Sequence, residues 1–483
     1  MKKKPTSFDA NLIVIGAGSA GLVSSYIAAA VKAKVILIER HKMGGDCLNT
    51  GCVPSKAILR SAKIAEYMRR APEFGLAQVQ VEPRFEQIMA RVKQVVADVE
   101  PHDSVDRYTQ LGVDCMSGEA KIISPWEVEL DGKVLTARSI IIASGARPFV
   151  PPIEGLAEAG FLTSDSVWSL TGLPKKLVVL GGGPIGCELG QAFARLGSDV
   201  TIVEMLDRLL IKEDVDVSQV IERSFTQGGL RCLLSHKAVR VLQEGAQKKL
   251  VCDGPAGEVI VPFDQILVTV GRRANTENMG LEALGIKTRR NGTVETDKFM
   301  RTAVKSIYAC GDVVGPYQFT HVAAHQAWYA SVNALFGTFK KFAVDYSVIP
   351  WATFTDPEVA HAGLSEQDAE EQAVPFEITR YGIDDLDRAI TDGEAHGFVK
   401  VLTVPGKDKI LGVTIVGHHA AELLAEFVLA MKHDLGLNNI LSTIHLYPGF
   451  AEANKYAAGA WKRAHQPERL LRWVQRFHDW RRG

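Results

Sequence analysis

The fold of this chain is decided by the stretch Asn11-Leu12-Ile13-Val14-Ile15-Gly16-Ala17-Gly18-Ser19-Ala20-Gly21. A short apolar run, typical of a buried strand, leads directly into glycines spaced as G-x-G-x-x-G. A helical pattern follows from about Leu22 to Val31, and a second apolar run ends in Glu39. This order predicts a dinucleotide-binding unit, with a pyrophosphate at the helix N-terminus and a ribose hydroxyl on the acid. The alternative is a tight turn that binds nothing.

The same order recurs later in the chain. The strand-like run Leu177–Leu180 precedes Gly181-Gly182-Gly183-Pro184-Ile185-Gly186, and a second run, Val200–Val203, ends at Glu204. In both copies the acid follows the last glycine by eighteen residues. Two copies predict two dinucleotides, or a large one and a smaller one. Because a carboxylate suits a free 2′-hydroxyl and repels a 2′-phosphate, Glu204 favours NADH over NADPH.

Between the two copies, two cysteines stand five residues apart in Gly44-Gly45-Asp46-Cys47-Leu48-Asn49-Thr50-Gly51-Cys52-Val53-Pro54-Ser55-Lys56. A regular helix would hold them beyond the roughly 4.4–6.8 Å that separates bridged Cα atoms. The glycines permit unusual dihedrals and Pro54 restricts Val53, so the backbone can bend enough to bring the thiols together. A helical pattern follows, which places the pair at a helix entrance, where the dipole favours thiolate. The alternative is two buried structural cysteines.

The bulk properties set the broad class. The length of 483 residues predicts two to four domains, and the net charge of −1 gives no indication of a nucleic-acid partner. No apolar run reaches the roughly 18 residues of a transmembrane helix. Seven cysteines in so long a chain do not make a secreted disulfide scaffold. We therefore predict a cytoplasmic, reducing location.

Four further motifs follow in order: Ile141–Pro148, Val270–Asn275, Thr302–Asp312 and Pro350–Ala360. Together with the cysteine stretch and the two glycine turns, they make the chain resemble the class I pyridine nucleotide–disulfide oxidoreductases. That family includes dihydrolipoamide dehydrogenase, glutathione reductase and mercuric reductase. The resemblance extends over almost the whole chain.

The resemblance implies an α/β fold with two Rossmann-like dinucleotide-binding domains, for FAD and NAD, and a C-terminal α+β dimerisation domain. The expected divisions are 1–155 and 276–345 for the FAD-binding and central parts, 156–275 for NAD, 346–460 for the interface and 461–483 for a tail. It also implies a homodimer.

The resemblance assigns roles residue by residue. Cys52 would be the thiolate that faces the flavin, and Cys47 the more exposed thiol that meets the substrate. Lys56 would lie beside flavin N5 and pair with Glu188. Lys56 and the helix entrance would both lower the pKa of Cys52. The glycine turns and the resemblance give the expected cofactor contacts: Gly16, Gly18, Gly21, Glu39, Gly45, Lys56, Ser144, Gly145, Asp312, Thr320, Gly181, Gly183, Gly186, Glu204 and Gly271.

The chain departs from the family near its end. Members that reduce small disulfides carry a histidine immediately before a proline, with a glutamate four residues after that proline. Here Tyr447 precedes Pro448, Glu452 matches, and His445 lies two residues earlier. Since residues two apart on an extended segment point to the same side, we expect His445 to serve as acid and base, oriented by Glu452. Tyr447 has an unperturbed pKa near about 10, a poor match for a neutral base.

The predicted activity is FAD-dependent transfer of electrons from NADH to the Cys47–Cys52 disulfide and on to a small-molecule or protein disulfide. One alternative is a mercuric reductase-like enzyme, or an NADH flavoprotein that reduces quinones or metal ions. No cysteine follows Cys310, so the C-terminal cysteine pair of mercuric reductases is missing. Another alternative is a redox-sensing or complex-bound subunit of low turnover.

The segment 461–483 is basic and its apolar residues recur at helical spacing. One interpretation is that it packs on its own dimer. The other is a helix that binds a membrane surface or a protein partner.

Overall fold

The computed structural model describes residues 4–245 and 247–483. Residues 1–3 of the predicted flavin domain and Ala246 of the predicted nicotinamide domain lie outside the described residues. The chain forms two compact units. The first runs to Asp207 and resumes over Gly228–Asp345, and the second combines Arg208–Gln227 with Tyr346–Gly483.

The strands, in chain order, are β1 Ala10–Ile15, β2 Val35–Glu39, β3 Val113–Ser117, β4 Ala120–Ser124, β5 Glu127–Leu130, β6 Lys133–Ile142, β7 Ala146–Pro148, β8 Leu162–Thr163, β9 Lys176–Leu180, β10 Asp199–Val203, β11 Arg231–Leu233, β12 Lys237–Glu244, β13 Gln247–Gly254, β14 Gly257–Phe263, β15 Gln265–Val268, β16 Arg272–Ala274, β17 Ile307–Ala309, β18 Pro350–Thr353, β19 Glu358–Gly363, β20 Glu377–Gly382, β21 Phe398–Thr403 and β22 Ile410–Gly417.

The α-helices are α1 Ser19–Ala30, α2 Gly45–Asn49, α3 Cys52–Arg69, α4 Phe85–Val99, α5 Val105–Gln110, α6 Leu156–Ala159, α7 Pro184–Arg195, α8 Val215–Gln227, α9 Thr320–Phe336, α10 Glu366–Glu371, α11 Asp387–Thr391, α12 Ala420–Lys432, α13 Leu437–Ser442, α14 Glu452–Ala464 and α15 Glu468–Arg482. Among the residues described, no helix has both the length and the apolar composition needed to cross a membrane.

The first unit contains one sheet that is mainly parallel and one that is parallel throughout. In the first, the order is β3-β2-β1-β6-β5-β4, with β17 also pairing β6. Strands β3, β2, β1, β6 and β17 pair in parallel, whereas β5 and β4 extend the sheet antiparallel. Leu12, Ile13 and Val14 are fully buried, as expected for a parallel strand covered on both faces. The first glycine turn therefore lies at the carboxyl end of a central strand, where α/β sheets bind ligands.

The other sheet has the order β11-β10-β9-β15-β8 and is parallel throughout. Its central strand β9 leads through the second glycine turn into α7, so it repeats the arrangement of β1 and α1. An antiparallel sheet, β12-β13-β14, and the short pair β16-β7 complete the first unit.

The second unit is built on an antiparallel sheet of order β18-β19-β22-β21-β20. Its core joins Ile415 of the sheet to Phe427 of α12 and Ala457 of α14, all three fully buried. The predicted fold class is confirmed: two βαβ-type parallel sheets and a C-terminal α+β domain.

One segment departs from the predicted division. Arg208–Gln227, inside the predicted nicotinamide domain, belongs by its contacts to the second unit. The physical reason is a buried ion cluster. Lys400 Nζ on β21 lies 2.8 Å from both Asp214 Oδ2 and Asp216 Oδ1, so α8 and the turn before it are tied to the antiparallel sheet.

Candidate active site

The cysteine stretch folds into two short helices that meet at a break. Helix α2 carries Cys47, the amides of Thr50 and Gly51 close back on the Asp46 carbonyl, and α3 begins at Cys52. Gly45 has φ +56°, and a Cβ there would lie 2.6 Å from Gly18 Cα. Glycine at position 45 therefore allows the cysteine stretch to pack directly on the first glycine turn.

The two sulfurs share one proton. Both cysteines are unbridged in the structure. The Cys47 thiol donates a hydrogen bond to Cys52, which, with the Thr320 hydroxyl and the Lys56 charge, lowers the pKa of Cys52 to about 6. The same hydrogen bond, together with burial, raises the pKa of Cys47 well above its ordinary value. At neutral pH the pair therefore holds a thiolate at Cys52 and a thiol at Cys47.

Two helix N-termini reinforce the Cys52 thiolate. Cys52 is the first residue of α3, and its Sγ lies 3.6 Å from the hydroxyl of Thr320, the first residue of α9. Neither helix has a side-chain cap or an acidic residue in its first turn. Their unsatisfied amides and dipoles therefore favour negative charge at this sulfur.

The predicted order of exposure is wrong. Cys52 is exposed and Cys47 is half-buried, the reverse of the expectation for a substrate-facing Cys47. The physical reason is that α2 folds Cys47 back against its own turn, while Cys52 stands at the start of α3 beside Lys56 and Thr320. Lys56 and Thr320 are two of the residues predicted to contact the flavin, so Cys52 is the cysteine that lies beside that predicted surface.

Lys56 and Glu188 form the predicted pair. Lys56 Nζ lies 2.8 Å from Glu188 Oε2, and the glutamate side chain is 7% exposed. Because Glu188 is on α7 and Lys56 is on α3, the pair joins the cysteine helix to the second glycine-turn helix. Glu188 also moderates the effect of Lys56, since its own charge raises the pKa of Cys52.

Two contacts that the sequence analysis missed hold the break between the helices. Trp168 Nε1 donates to the carbonyls of Thr50 at 2.8 Å and Ser164 at 2.7 Å. The Thr50 hydroxyl lies 3.4 Å from Asp165 Oδ1. These partners stand more than a hundred residues from the cysteines, so no local pattern could have identified them.

Arg272 is a further residue that the sequence analysis passed over. It donates to Asp46, next to Cys47, and to the Ala146 carbonyl at 2.8 Å. Its Nε lies 3.9 Å from Asp312 Oδ2. Burial raises the pKa of Asp312, and the Arg272 charge opposes that rise. Its place in the motif Val270–Asn275 was the only signal in the sequence, and Gly271 was the one residue of that motif predicted to contact a cofactor.

Both glycine turns have the geometry that a dinucleotide requires. Gly16 has φ +101° and Gly181 has φ +104°, a region that favours glycine. A Cβ on Gly21 would lie 1.7 Å from the Gly16 carbonyl oxygen, and one on Gly186 would lie 2.0 Å from that of Gly181. Gly18 and Gly183 are the N-caps of α1 and α7, which lack side-chain caps and first-turn acids. The helix ends thus offer unoccupied amide donors to a pyrophosphate, so the residues present fit FAD and NAD(P)H.

The two acids are held in the same way. Glu39 accepts from the Ala17 amide at 2.6 Å and the His41 amide at 2.8 Å. Glu204 accepts from Gly182 at 2.6 Å and from Leu206 at 2.8 Å. Each carboxylate is therefore fixed at the end of its strand, beside its glycine turn, where a ribose would lie.

Ser144, Gly145 and Gly271 occupy a crossing between two chain segments. The Ser144 hydroxyl donates to the Asn275 carbonyl at 2.6 Å, and the Asn275 amide N–H donates to the Gly145 carbonyl at 3.0 Å. Gly145 has φ +68° and Gly271 has φ +136°. The Ser144 side chain thus joins the two segments. A cofactor at this crossing would contact the backbone of Gly145 and Gly271.

The predicted pairing of His445 with Glu452 is wrong. His445 Nε2 lies 2.9 Å from Glu426 Oε1, its Nδ1 lies 3.0 Å from the Thr443 carbonyl, and its side chain is 5% exposed. Glu452 instead accepts from the Gly449 amide and the Tyr456 hydroxyl. Glu426 comes from α12, so its position depends on tertiary packing that the local spacing does not reveal.

Tyr447 is exposed, as are its neighbours Ile444 and Leu446. Its side chain is accessible, and its hydroxyl donates to Asp387 Oδ2 at 2.9 Å. That hydrogen bond raises the pKa of Tyr447, so the hydroxyl remains protonated at neutral pH. The segment therefore presents a tyrosine hydroxyl to solvent while its imidazole is enclosed.

The other cysteines lie away from this chemistry. Cys187 is buried and donates to the Gly182 carbonyl at 3.2 Å, and burial raises its pKa. Cys252 and Cys310 are buried, with pKa values raised by desolvation to about 11 and about 12. Desolvation also raises the pKa of Cys115. These thiols are packing groups at neutral pH.

The low pKa of Cys52 leads to a prediction. Titration of the reduced protein, followed by thiolate absorbance in the ultraviolet, should show one transition near pH 6 that Cys52→Ser removes. Lys56→Met should move this transition to higher pH, because it removes a positive charge that favours the thiolate. Cys115→Ser serves as the control and should leave the transition unchanged. A lowest transition close to the ordinary thiol pKa of about 8.5 would contradict the assignment.

Comparison with known proteins agrees with this geometry. The family model for pyridine nucleotide-disulphide oxidoreductases matches residues 10–327, and the model for their dimerisation domain matches residues 349–458. The dihydrolipoyl dehydrogenase of Chlamydia trachomatis is 36% identical over 446 residues, which cover 91% of this chain and 94% of that protein. The mercuric reductase of Lysinibacillus sphaericus is 35% identical over 448 residues, covering 93% and 82%.

A solved structure gives the same result for the fold. The crystal structure of LpdA from Mycobacterium tuberculosis superposes with a TM-score of 0.84 at 28% identity, covering 93% of this chain and 99% of that one. With two family models, these relatives and a cysteine pair beside two dinucleotide turns, the chain belongs to the pyridine nucleotide–disulphide oxidoreductase family and is an FAD-dependent NAD(P)H:disulfide oxidoreductase.

Proposed function

We propose that this enzyme uses NADH to reduce a disulfide through Cys47 and Cys52, with Cys52 as the thiolate stabilised beside FAD and Cys47 as the sulfur that meets the substrate. The observation that carries the proposal is the shared proton: Cys52 is held as thiolate by the Cys47 thiol, Thr320 and Lys56. FAD, when bound, supplies acceptance of the hydride from NADH and passage of the electron pair to sulfur.

The cofactors would be held by the elements already described. Gly16, Gly18, Gly21 and Glu39, with Gly45, Lys56, Ser144, Gly145, Asp312 and Thr320, form the proposed flavin site. Gly181, Gly183, Gly186, Glu204 and Gly271 form the proposed nicotinamide site. We assign residues 1–155 and 276–345 to the first site and 156–207 and 228–275 to the second. We assign residues 346–460 to the dimer interface, in the unit that also contains Arg208–Gln227.

The sulfur chemistry follows from the pKa order. Cys47 attacks one sulfur of the substrate disulfide and gives up its proton to solvent, while the departing sulfur takes up a proton and leaves as a first thiol, so Cys52 remains a thiolate. The Cys52 thiolate then attacks Cys47 in the mixed disulfide, which releases the second thiol and restores the Cys47–Cys52 bond. Thr320 and Lys56 keep Cys52 nucleophilic in this second step, when the Cys47 donor has been consumed.

We propose that Tyr447, rather than His445, protonates the departing thiolate, and that the segment acts across a two-fold dimer. The enclosed imidazole has both ring nitrogens engaged, whereas the Tyr447 hydroxyl is exposed and paired with Asp387. Tyrosine is a weaker acid than imidazolium, so small disulfides would turn over slowly.

The experiment that tests the function is NADH oxidation by the purified dimer with lipoamide, small disulfides, quinones and Hg(II) as separate acceptors. The proposal expects turnover with at least one disulfide, and a higher rate with small disulfides in Tyr447→His. Turnover with quinones or Hg(II) alone would overturn it.

The coenzyme preference gives a second prediction. NADH should exceed NADPH in kcat/KM, because Glu204 is fixed by two backbone amides where a 2′-phosphate would bring negative charge. Arg208, the nearest arginine after it, donates to Gln367 and the Ile211 carbonyl. Glu204→Gln should lower the ratio of kcat/KM for NADH to kcat/KM for NADPH by about tenfold, the equivalent of about 1.4 kcal/mol. An NADPH preference in the wild type would refute the assignment.

We also propose that the tail, residues 461–483, docks the enzyme to a partner and takes no part in catalysis. The family model for the dimerisation domain ends at residue 458, before α15 begins. We propose a cytoplasmic location for the enzyme, because its seven cysteines do not make a secreted disulfide scaffold.

A further inference from the structure

Helix α15 presents a large apolar surface to solvent. None of its fifteen residues is buried, and Trp473 and Trp480 are 64% and 78% exposed. Leu470 and Phe477 are exposed as well. The preceding helix α14, in contrast, buries Ala457, Ala458 and Trp461 in the core of the second unit. Exposed aromatic residues gathered on one helix indicate a binding surface.

Most apolar residues of α15 form one face, and only Leu471, about 60° beyond Val474, lies outside it. At about 100° per residue, Leu470, Trp473, Val474, Phe477 and Trp480 fall within an arc of about 120°. The Trp473 and Phe477 rings stack with centroids 6.1 Å apart. The two acidic residues of the helix, Glu468 and Asp479, lie on the opposite side. The face is therefore an ordered stripe with a polar back.

Arginines follow the aromatic edge of this stripe. Arg469 and Arg476 lie beside the edge that carries Trp473 and Trp480, and Arg472 lies further round the helix, next to Asp479. Over residues 462–483 the sequence has seven Lys and Arg residues against two Asp and Glu. Aromatic rings beside arginines, on a helix too short and too charged to span a bilayer, are typical of helices that lie in the membrane interface.

The position of Arg481 distinguishes a membrane surface from a protein groove or a second copy of α15 as the partner. By helical position it falls inside the apolar arc, and its guanidinium lies 5.8 Å from the centre of the Phe477 ring. An apolar protein groove would bury this charge, and a second α15 packed by two-fold symmetry would bring like charges together. At a bilayer surface the arginine side chain can extend to a lipid phosphate while the rings insert below it.

We propose that α15 binds the surface of an anionic phospholipid membrane, with Trp473, Phe477 and Trp480 inserted at the headgroup level and the arginines on lipid phosphates. The proposal rests on the docking role given above to the tail and is independent of the sulfur chemistry. The binding would be reversible and salt-dependent, because charge attraction contributes part of the affinity.

The test is co-sedimentation of the full-length flavoprotein with vesicles of phosphatidylcholine alone and of equal parts phosphatidylcholine and phosphatidylglycerol. The variants are Trp473→Ser with Trp480→Ser, and Arg469→Gln with Arg472→Gln and Arg476→Gln. Gln475→Ala, on the polar side of the helix, is the matched control. NADH oxidation by ferricyanide confirms that each variant is folded, and it is measured separately from lipid binding.

The wild type and Gln475→Ala should bind the anionic vesicles, bind neutral vesicles at least about tenfold more weakly, and lose binding as salt rises. Each multiple variant should lose more than about tenfold in partitioning to anionic vesicles. The proposal is overturned if wild-type protein ignores both vesicles, or if the variants bind as wild type. It is also overturned if the tryptophan variants change only the sedimentation mass, because α15 would then be an interface between copies of the chain.

Discussion

Cys47→Ser and Cys52→Ser are each expected to lower NADH-dependent disulfide reduction by on the order of 10³-fold or more, to the uncatalysed background. Cys47→Ser removes the sulfur that forms the mixed disulfide with the substrate, and Cys52→Ser removes the sulfur that resolves it, so neither variant can complete the cycle. The expected loss is in kcat, because the covalent step itself is removed.

The same variants should keep NADH oxidation by ferricyanide within a few-fold of wild type. Serine differs from cysteine in one atom and fills nearly the same space, and reduction of ferricyanide by the flavin needs neither sulfur step. Comparing ferricyanide with the best disulfide acceptor therefore separates loss of the sulfur steps from loss of folding. Cys115→Ser is the matched control, since Cys115 is half-buried in β3.

The alternatives predict different patterns. If both variants retained disulfide reduction, the cysteine pair would be auxiliary and the chain would act as a simple NADH flavoprotein. If Cys47→Ser removed the low-pKa thiolate while Cys52→Ser preserved it, the roles of the two sulfurs would be exchanged. Titration of the two variants answers this second question without any substrate.

The parts of the site that the sequence could predict are those with local requirements. The turns at Gly16 and Gly181 have positive φ and lie very close to the following helix. Only glycine meets both requirements easily, so the spacing of the glycines predicts the turns. The acids Glu39 and Glu204 follow at a fixed distance because one helix and one strand lie between. Cys52 at the start of α3 follows from the helical pattern after Pro54.

The parts that the sequence could not predict depend on tertiary packing. Arg272 meets Asp46 across 226 positions of sequence, and Trp168 holds Thr50 from outside the motif. His445 finds Glu426 rather than Glu452 because α12 and α14 pack in the same core. The sequence does not show how such elements pack against each other. Spacing along the chain predicted the pair His445–Glu452, whereas packing of the helices forms the pair His445–Glu426.

The buried cation Lys400 is the second position where we expect a large effect. Its side chain is 2% exposed, and Nζ lies 2.8 Å from Asp214 Oδ2, 2.8 Å from Asp216 Oδ1 and 2.5 Å from Glu366 Oε1. Burial alone would lower the pKa of Lys400, but hydrogen bonds to the three carboxylates outweigh it and raise that pKa. Lys400 is therefore charged throughout the neutral range and joins β21 to α8 and α10.

Lys400→Met should destabilise the second unit by about 3–5 kcal/mol, because it leaves a buried carboxylate without its cation. Asp214 contributes most of this cost, since its side chain is 5% exposed, while Asp216 and Glu366 keep about a third of theirs in solvent. Adding Asp214→Asn should recover part of the loss. Lys409→Met removes the exposed pair with Asp434 and should cost less than about 1 kcal/mol.

Calorimetric unfolding of the four proteins, wild type, Lys400→Met, its Asp214→Asn double variant and Lys409→Met, measures these differences. The pKa of Lys400 is higher in the folded chain, so its stabilisation is complete below its unfolded pKa and is lost as pH rises through the folded one. The difference between wild type and Lys400→Met should therefore be constant across neutral pH and shrink only in strong alkali. Equal effects of Lys400→Met and Lys409→Met would show that the cluster does not hold α8 to the antiparallel sheet, and that other contacts of Arg208–Gln227, such as those of Glu213 with Trp351 and of Ser224 with the Asp356 carbonyl, join it to the second unit.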